Sequence, residues 1–261
     1  MKLLRKCIFG LLALLLLLVC LLWFFPARWA AVWFESQLHG VQLQQLHGTL
    51  WDGRADQVLA ADGRPLGSVQ WRLSRRSVFG RGAMEVDFDG PRLAFSGDMR
   101  RLPAEQMQLR NVRLRTDLTS FGNELALPWG QPQGNLSLTI DQAVLQGGWP
   151  LQLEAAARWT NATLRTDQGE VVFGALQARA QASNGVVKVH ASDDGEGPLL
   201  VDGDLQLSPL GWRLDVTLRP RQTDPVLQRW LATWGDPAAD GSLHLRRHGG
   251  LAAPISEPPA I

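Results

Sequence analysis

The 261-residue chain has an apolar fraction of 45% and a formal net charge of +1, a composition that excludes a disordered protein and fits one large domain or two small ones. With the N-terminal cations Lys2, Arg5 and Lys6 set aside, the remainder carries −2, which excludes the concentrated cationic footprint that nucleic acid demands. Both cysteines, Cys7 and Cys20, lie in the first apolar run, so the rest of the chain has no disulfide framework, thiolate nucleophile or cysteine metal site.

Residues 1–6 are basic and residues 7–25, "CIFGLLALLLLLVCLLWFF", carry no charge. As a helix these 19 residues reach about 28 Å, one hydrocarbon thickness, so the run is expected to span a membrane as a single helix. Ile8, Phe9, Leu11, Leu14, Leu18, Leu22, Trp23 and Phe25 form its anchor surface. A cleaved signal peptide has a shorter apolar core and a small-x-small site, and "FFPARWAAVW" offers no such site after the run. "LLVC" is a poor lipidation site because Val19 is too bulky before the cysteine. Lys2, Arg5 and Lys6 keep the N-terminus in the cytoplasm by the positive-inside rule. Residues 26–39 read as a juxtamembrane helix or linker.

From residue 40 to 250 the dominant signal is alternation, the period of 2 that a half-buried strand requires. Met84, Val86 and Phe88 alternate with Glu85, Asp87 and Asp89; Leu136, Leu138 and Ile140 alternate with Ser137 and Thr139. The pattern recurs through Leu153, Ala155, Ala157 and Trp159, through Leu176, Ala178, Ala180 and Ala182, and through Trp212, Leu214, Val216 and Leu218. Turn residues such as "ADGRPLG", "SNG" and "SPLGW" punctuate the runs. No βαβ rhythm occurs, so the fold class is mainly β: a membrane helix followed by a large curved antiparallel meander of roughly a dozen or more strands, each of about 5–10 residues.

One stretch of this body is helical, "TDPVLQRWLATWGDP". Asp224 caps it, Pro225 suits its first turn and Gly235 its end, while Val226, Leu227, Trp230, Leu231 and Trp234 form one apolar stripe. A single short amphipathic helix is too little to cover so long a one-sided sheet. The apolar face therefore curls onto itself as a sandwich or partly closed barrel, forms an open groove for acyl chains, or docks another protein. Residues 251–261, "LAAPISEPPAI", are Pro-rich and read as a disordered tail.

Chemistry-bearing motifs are missing. His39, His47, His190, His244 and His248 are scattered among turns and outward positions, which gives no zinc spacing. There is no nucleophile elbow, phosphate loop or dinucleotide fingerprint. The expectation is a protein with no enzymatic activity, catalytic residue, cofactor or metal. The cluster "HGTLWDGRA" reads as a turn and strand start, with Trp51 and Trp71 expected to be buried near one another as packing anchors.

Taken in order, three segments resemble the type II secretion system protein N family. The first is "LHGTLWDGRA", with Gly48, Thr49, Leu50, Trp51 and Gly53, followed by a strand to Trp71. The second is "ARWTNATL", with Trp159, Asn161 and Ala162. The third is "GWRLDVTLRPR", with Arg219 and Pro220, followed by the capped helix. The resemblance implies a single-pass inner-membrane protein of a Gram-negative cell with a periplasmic β-rich domain. It also implies an accessory assembly or linking role between the inner-membrane platform and the outer-membrane secretin during export of folded proteins, so the expected partners are other secretion subunits and the inner membrane. A lipid-binding or lipid-transfer envelope protein, with lipid in an apolar β-groove, is the alternative.

Overall fold

The computed structural model describes residues 26–27, 41–76 and 82–250, so the expected spanning run, most of the 26–39 linker and the 251–261 tail lie outside the described residues. Among the described residues no helix is long and apolar enough to cross a membrane. The chain divides into two compact units, the first ending at Pro91 and the second beginning at Arg92.

The first unit holds β1 (Gln42–Gly48), β2 (Asp52–Leu59), β3 (Pro65–Leu73) and β4 (Ala83–Asp89). Each pairs antiparallel with the next. Ala55 and Val58 on β2, together with Trp51 just before it and Ala27, are its buried apolar positions among the described residues. The β2–β3 register shifts between Ala55 and Val58, which lets two apolar residues three apart share one face despite the period of 2.

The second unit holds β5 (Leu93–Arg101), β6 (Gln106–Asp117), β7 (Gln131–Gln146), β8 (Trp149–Thr166), β9 (Gly169–Ser183), β10 (Val186–Asp193), β11 (Leu199–Ser208), β12 (Gly211–Pro220) and β13 (Leu243–Gly250). Consecutive strands pair antiparallel throughout. The antiparallel meander expected from the alternation is thus present, and the described strands number thirteen. Four of them are longer than expected: β6, β7, β8 and β9 run for 12, 16, 18 and 15 residues. Bulges explain the length. β7 shifts register against β8 at Gln133/Asn135, Ile140/Gln142 and Val144/Leu145, each shift adding local twist so that a long strand can continue without losing its partner.

Register shows how one-sided the sheet is. Leu138, Ala157, Ala178, Ala191, Gly203, Val216 and Leu245 form one row from β7 to β13, and the adjacent row on the other face runs Thr139, Ala156, Arg179, His190, Asp204, Asp215 and Arg246. Among the described residues β13 bonds only to β12, so the meander does not close into a barrel.

The expected helix is α1 (Pro225–Ala232), with Pro225 in its first turn. The Asp224 carboxylate accepts from the N–H groups of Val226 and Leu227 at 2.8 and 3.4 Å, satisfying two of the donors that a helix start leaves free. Leu227 and Leu231 are fully buried against Leu164, Val171, Phe173, Leu199, Leu218 and Leu243, so α1 covers one end of the apolar face. A 3₁₀ segment, Leu118–Leu125, precedes β7. Sequence periodicity did not announce it, because its turns break at Gly122, whose φ of 54° lies outside any right-handed helix.

Candidate functional site

In the first unit the family-like segment forms a turn clamped by a tryptophan. Gly48 has φ +83°, and a Cβ there would lie 2.3 Å from the Asp52 carbonyl oxygen, so only glycine fits. The Thr49 N–H donates to the Asp52 carbonyl at 2.8 Å and the Asp52 N–H to Thr49 Oγ1 at 3.2 Å. The indole of Trp71, on the neighbouring strand, donates to the Leu50 carbonyl at 3.0 Å. Its ring lies over Gly53, where a Cβ would come within 2.3 Å of Cζ2. Trp51 is buried, and its carbonyl accepts from the Leu73 N–H at 2.7 Å. Trp71 is only half-buried; its ring is held by covering the turn rather than by enclosure.

The polar face beside this turn frames an open cleft of about 510 Å³, lined by His47, Asp52, Arg54, Gln70, Arg72 and Asp87 among others. Its cations are matched by carboxylates: Arg72 meets Glu85 at 2.6 Å, and both Arg54 and His47 meet Asp56, at 2.5 and 3.2 Å. The hydrogen bond from Arg54 holds the Asp56 carboxyl below the usual range. Solvated ion pairs of this kind each contribute little to stability.

In the second unit Trp159 repeats the device, donating to the Gln133 carbonyl at 2.9 Å, while its ring meets Phe173 edge-on at 6.0 Å. Trp149 does the same to the Gly185 carbonyl at 2.8 Å. Asn161, with φ +51°, is the extra residue of a bulge between Trp159 and Ala162. Asparagine tolerates that left-handed conformation better than most residues. The bulge returns Ala162 and Leu164 to the buried face that Trp159 occupies. Arg219 stands 3.9 Å from Asp240, and Pro220 closes β12 opposite Leu199. The structure therefore separates the motif residues into a first-unit turn and a second-unit core margin, with Arg219 exposed beside the latter.

Sequence reasoning missed an aromatic chain at that margin. Phe173, Trp230, Trp234 and Trp129 follow Trp159 with centroids 5.3–6.1 Å apart. Trp129, Trp230 and Trp234 border a cleft of about 690 Å³ that Arg165 and Thr233 also line. Trp230 Nε1 and Trp234 Nε1 are buried without a hydrogen-bond acceptor among the described residues, and both rings pack edge-to-face within the aromatic chain. The helical spacing of Trp230 and Trp234 was visible in the sequence, whereas Trp129, in a Pro-Trp-Gly turn, gave no signal.

The family model of the type II secretion system protein N matches residues 39–246. The chain belongs to that family. The match covers all three motif segments and the strands from β1 into β13, and it makes this protein N homologue a component of the type II secretion system. No curated protein and no solved structure matches it.

Proposed function

We propose that this chain is a non-enzymatic accessory subunit of the type II secretion system, anchored in the inner membrane with its β-rich domain in the periplasm. There it assists assembly between the inner-membrane platform and the outer-membrane secretin. The observation that carries the reading is the family match over residues 39–246. Support for the anchor comes from the charge-free run 7–25 with its cations at Lys2, Arg5 and Lys6. A linking role needs surfaces rather than a reaction centre, and the open meander offers them: among the described residues β13 has one strand neighbour and an edge to which a partner strand can add. The test is deletion in a strain lacking a paralogue. Loss of export of folded substrates, with reduced secretin assembly and rescue by the full chain, is the expected result. Export and secretin assembly at parental levels would overturn the reading.

A further inference from the structure

Among the described residues the apolar face of the second unit is closed at one end by α1 and left open at the other. Four of its large apolar side chains stand exposed at or beside the open end: Met99, Met107, Leu210 and Trp212, at 38, 38, 62 and 42%. Trp212 is held there by its ring lying over Gly249, where a Cβ would come within 2.8 Å of the indole nitrogen. Between this rim and α1 the row Ala157, Ala178, Ala191 and Gly203 presents only small side chains, leaving depth above the sheet.

Charge on this face is placed in a telling way. Asp193 is consumed by Arg221, at 2.7 Å. Arg247 lies on the apolar side of β13, in phase with Leu243 and Leu245 and opposite Leu214, whereas Arg246 on the outer side pairs with Asp215 at 3.0 Å. Arg101, at the end of β5, is in phase with Met99 and opposite Met107. Both Arg101 and Arg247 are exposed, and neither has an ion pair among the described residues. An apolar strip with a free guanidinium at its open end complements one kind of molecule, a chain with an anionic head.

We infer that this face binds anionic amphiphiles, with the acyl chain lying along the strands and the phosphate or carboxylate head taken by Arg247 at one margin and by Arg101 at the other. Leu176 to Ala182 on β9 gives a strip of about 20 Å at strand rise. One acyl chain spans about half a hydrocarbon core, roughly 15 Å, and fits within it. A guanidinium accepts either head group in a bidentate pair. Eight ladder spacings of about 4.8 Å separate β5 from β13 along the sheet, so the two arginines serve separate molecules.

The experiment uses the full-length protein carrying a photoreactive benzoylphenylalanine in place of Leu205, on the apolar face opposite Leu214, or in place of Gln206, on the polar face. Each is irradiated in phosphatidylcholine vesicles with and without phosphatidylglycerol. The expected result is a lipid adduct at position 205, several-fold above that at 206, that depends on phosphatidylglycerol and falls several-fold in Arg247→Glu. That side chain has no ion pair to lose, so the variant keeps the parental melting temperature. Displacement by oleate as well as by phosphatidylglycerol would assign a carboxylate head, and displacement by phosphatidylglycerol alone a phosphate head; either keeps the inference. Equal adducts on both faces, equal adducts in phosphatidylcholine alone, or an adduct unchanged by Arg247→Glu would overturn it. So would capture of a protein instead of lipid by the position 205 probe in cells. A secretion defect on deletion is independent of all these outcomes.

Discussion

The tryptophan of this chain does work that elsewhere falls to several residue types. Trp71, Trp149 and Trp159 each join a neighbouring segment through one indole hydrogen bond while covering it with a ring. Glycine is the partner that the ring requires at Gly53. Gly53→Ala is accordingly expected to destabilise the first unit by about 1–3 kcal/mol, the range for forced overpacking. Trp51→Ala, which empties a buried site, is expected to cost about 3–5 kcal/mol. Urea unfolding of the two variants checks both, and a Trp51→Ala protein that melts like the parent yet fails in secretion would mark Trp51 as a contact instead. A second residue-scale prediction concerns Asp193. Burial alone would push its carboxyl up, but the hydrogen bond from Arg221 and the N–H groups of Val201 and Gly195 outweigh that, and its pKa is lowered from the ordinary 3.8. A lowered carboxyl contributes stability that is fully present above about pH 4 and is lost as pH falls through the folded value. Asp193→Asn should therefore be less stable at neutral pH by about 1–3 kcal/mol and should show a shallower acid loss than the parent in melts from pH 7 downward.

At the scale of elements, α1 is the only described α-helix set against the sheet, and its contribution can be divided. Asp224→Ala removes the cap and should cost about 1 kcal/mol. Leu231→Ala opens a fully buried position and should cost about 2–5 kcal/mol. Thermal unfolding separates the two, and a larger effect at Asp224 than at Leu231 would mean that the helix is held by its start rather than its face. The bulge at Asn161 is an element-level device as well. Were the same sequence paired without the bulge, strict alternation would turn Ala162 and Leu164, three and five positions after Trp159, to the other face. Asn161→Gly, which keeps the positive φ, should fold as the parent does, whereas Asn161→Val, β-branched at that φ, should cost about 1–2 kcal/mol in urea unfolding.

For the molecule as a whole, an open meander must keep its free edge from pairing at random. β13 carries Arg246, Arg247 and His248 in succession, a cationic edge that repels a second copy of itself while leaving an acidic partner strand free to add. Replacing Arg246 and His248 with threonine should shift the protein toward oligomers in sedimentation velocity, and an unchanged monomer would show that the edge is protected otherwise. Alternation such as Leu136, Leu138 and Ile140 against Ser137 and Thr139 was enough to read the strands, their antiparallel order and the two-faced sheet, because the pleat converts sequence parity directly into side-chain direction. Asp224, Pro225 and the apolar stripe behind them were enough to read α1, since capping is decided within one turn. The ordered motifs from Gly48 to Pro220 sufficed for the family. Tertiary structure alone decided that the sheet of the second unit stays open, that Trp71 serves as the lid of a turn, and that Trp129 completes the aromatic chain begun at Trp159. It also decided that Arg247 stands opposite Leu214. Each of these depends on register and bulges, which are set by pairing between strands, and local periodicity carries no record of which residues lie opposite one another.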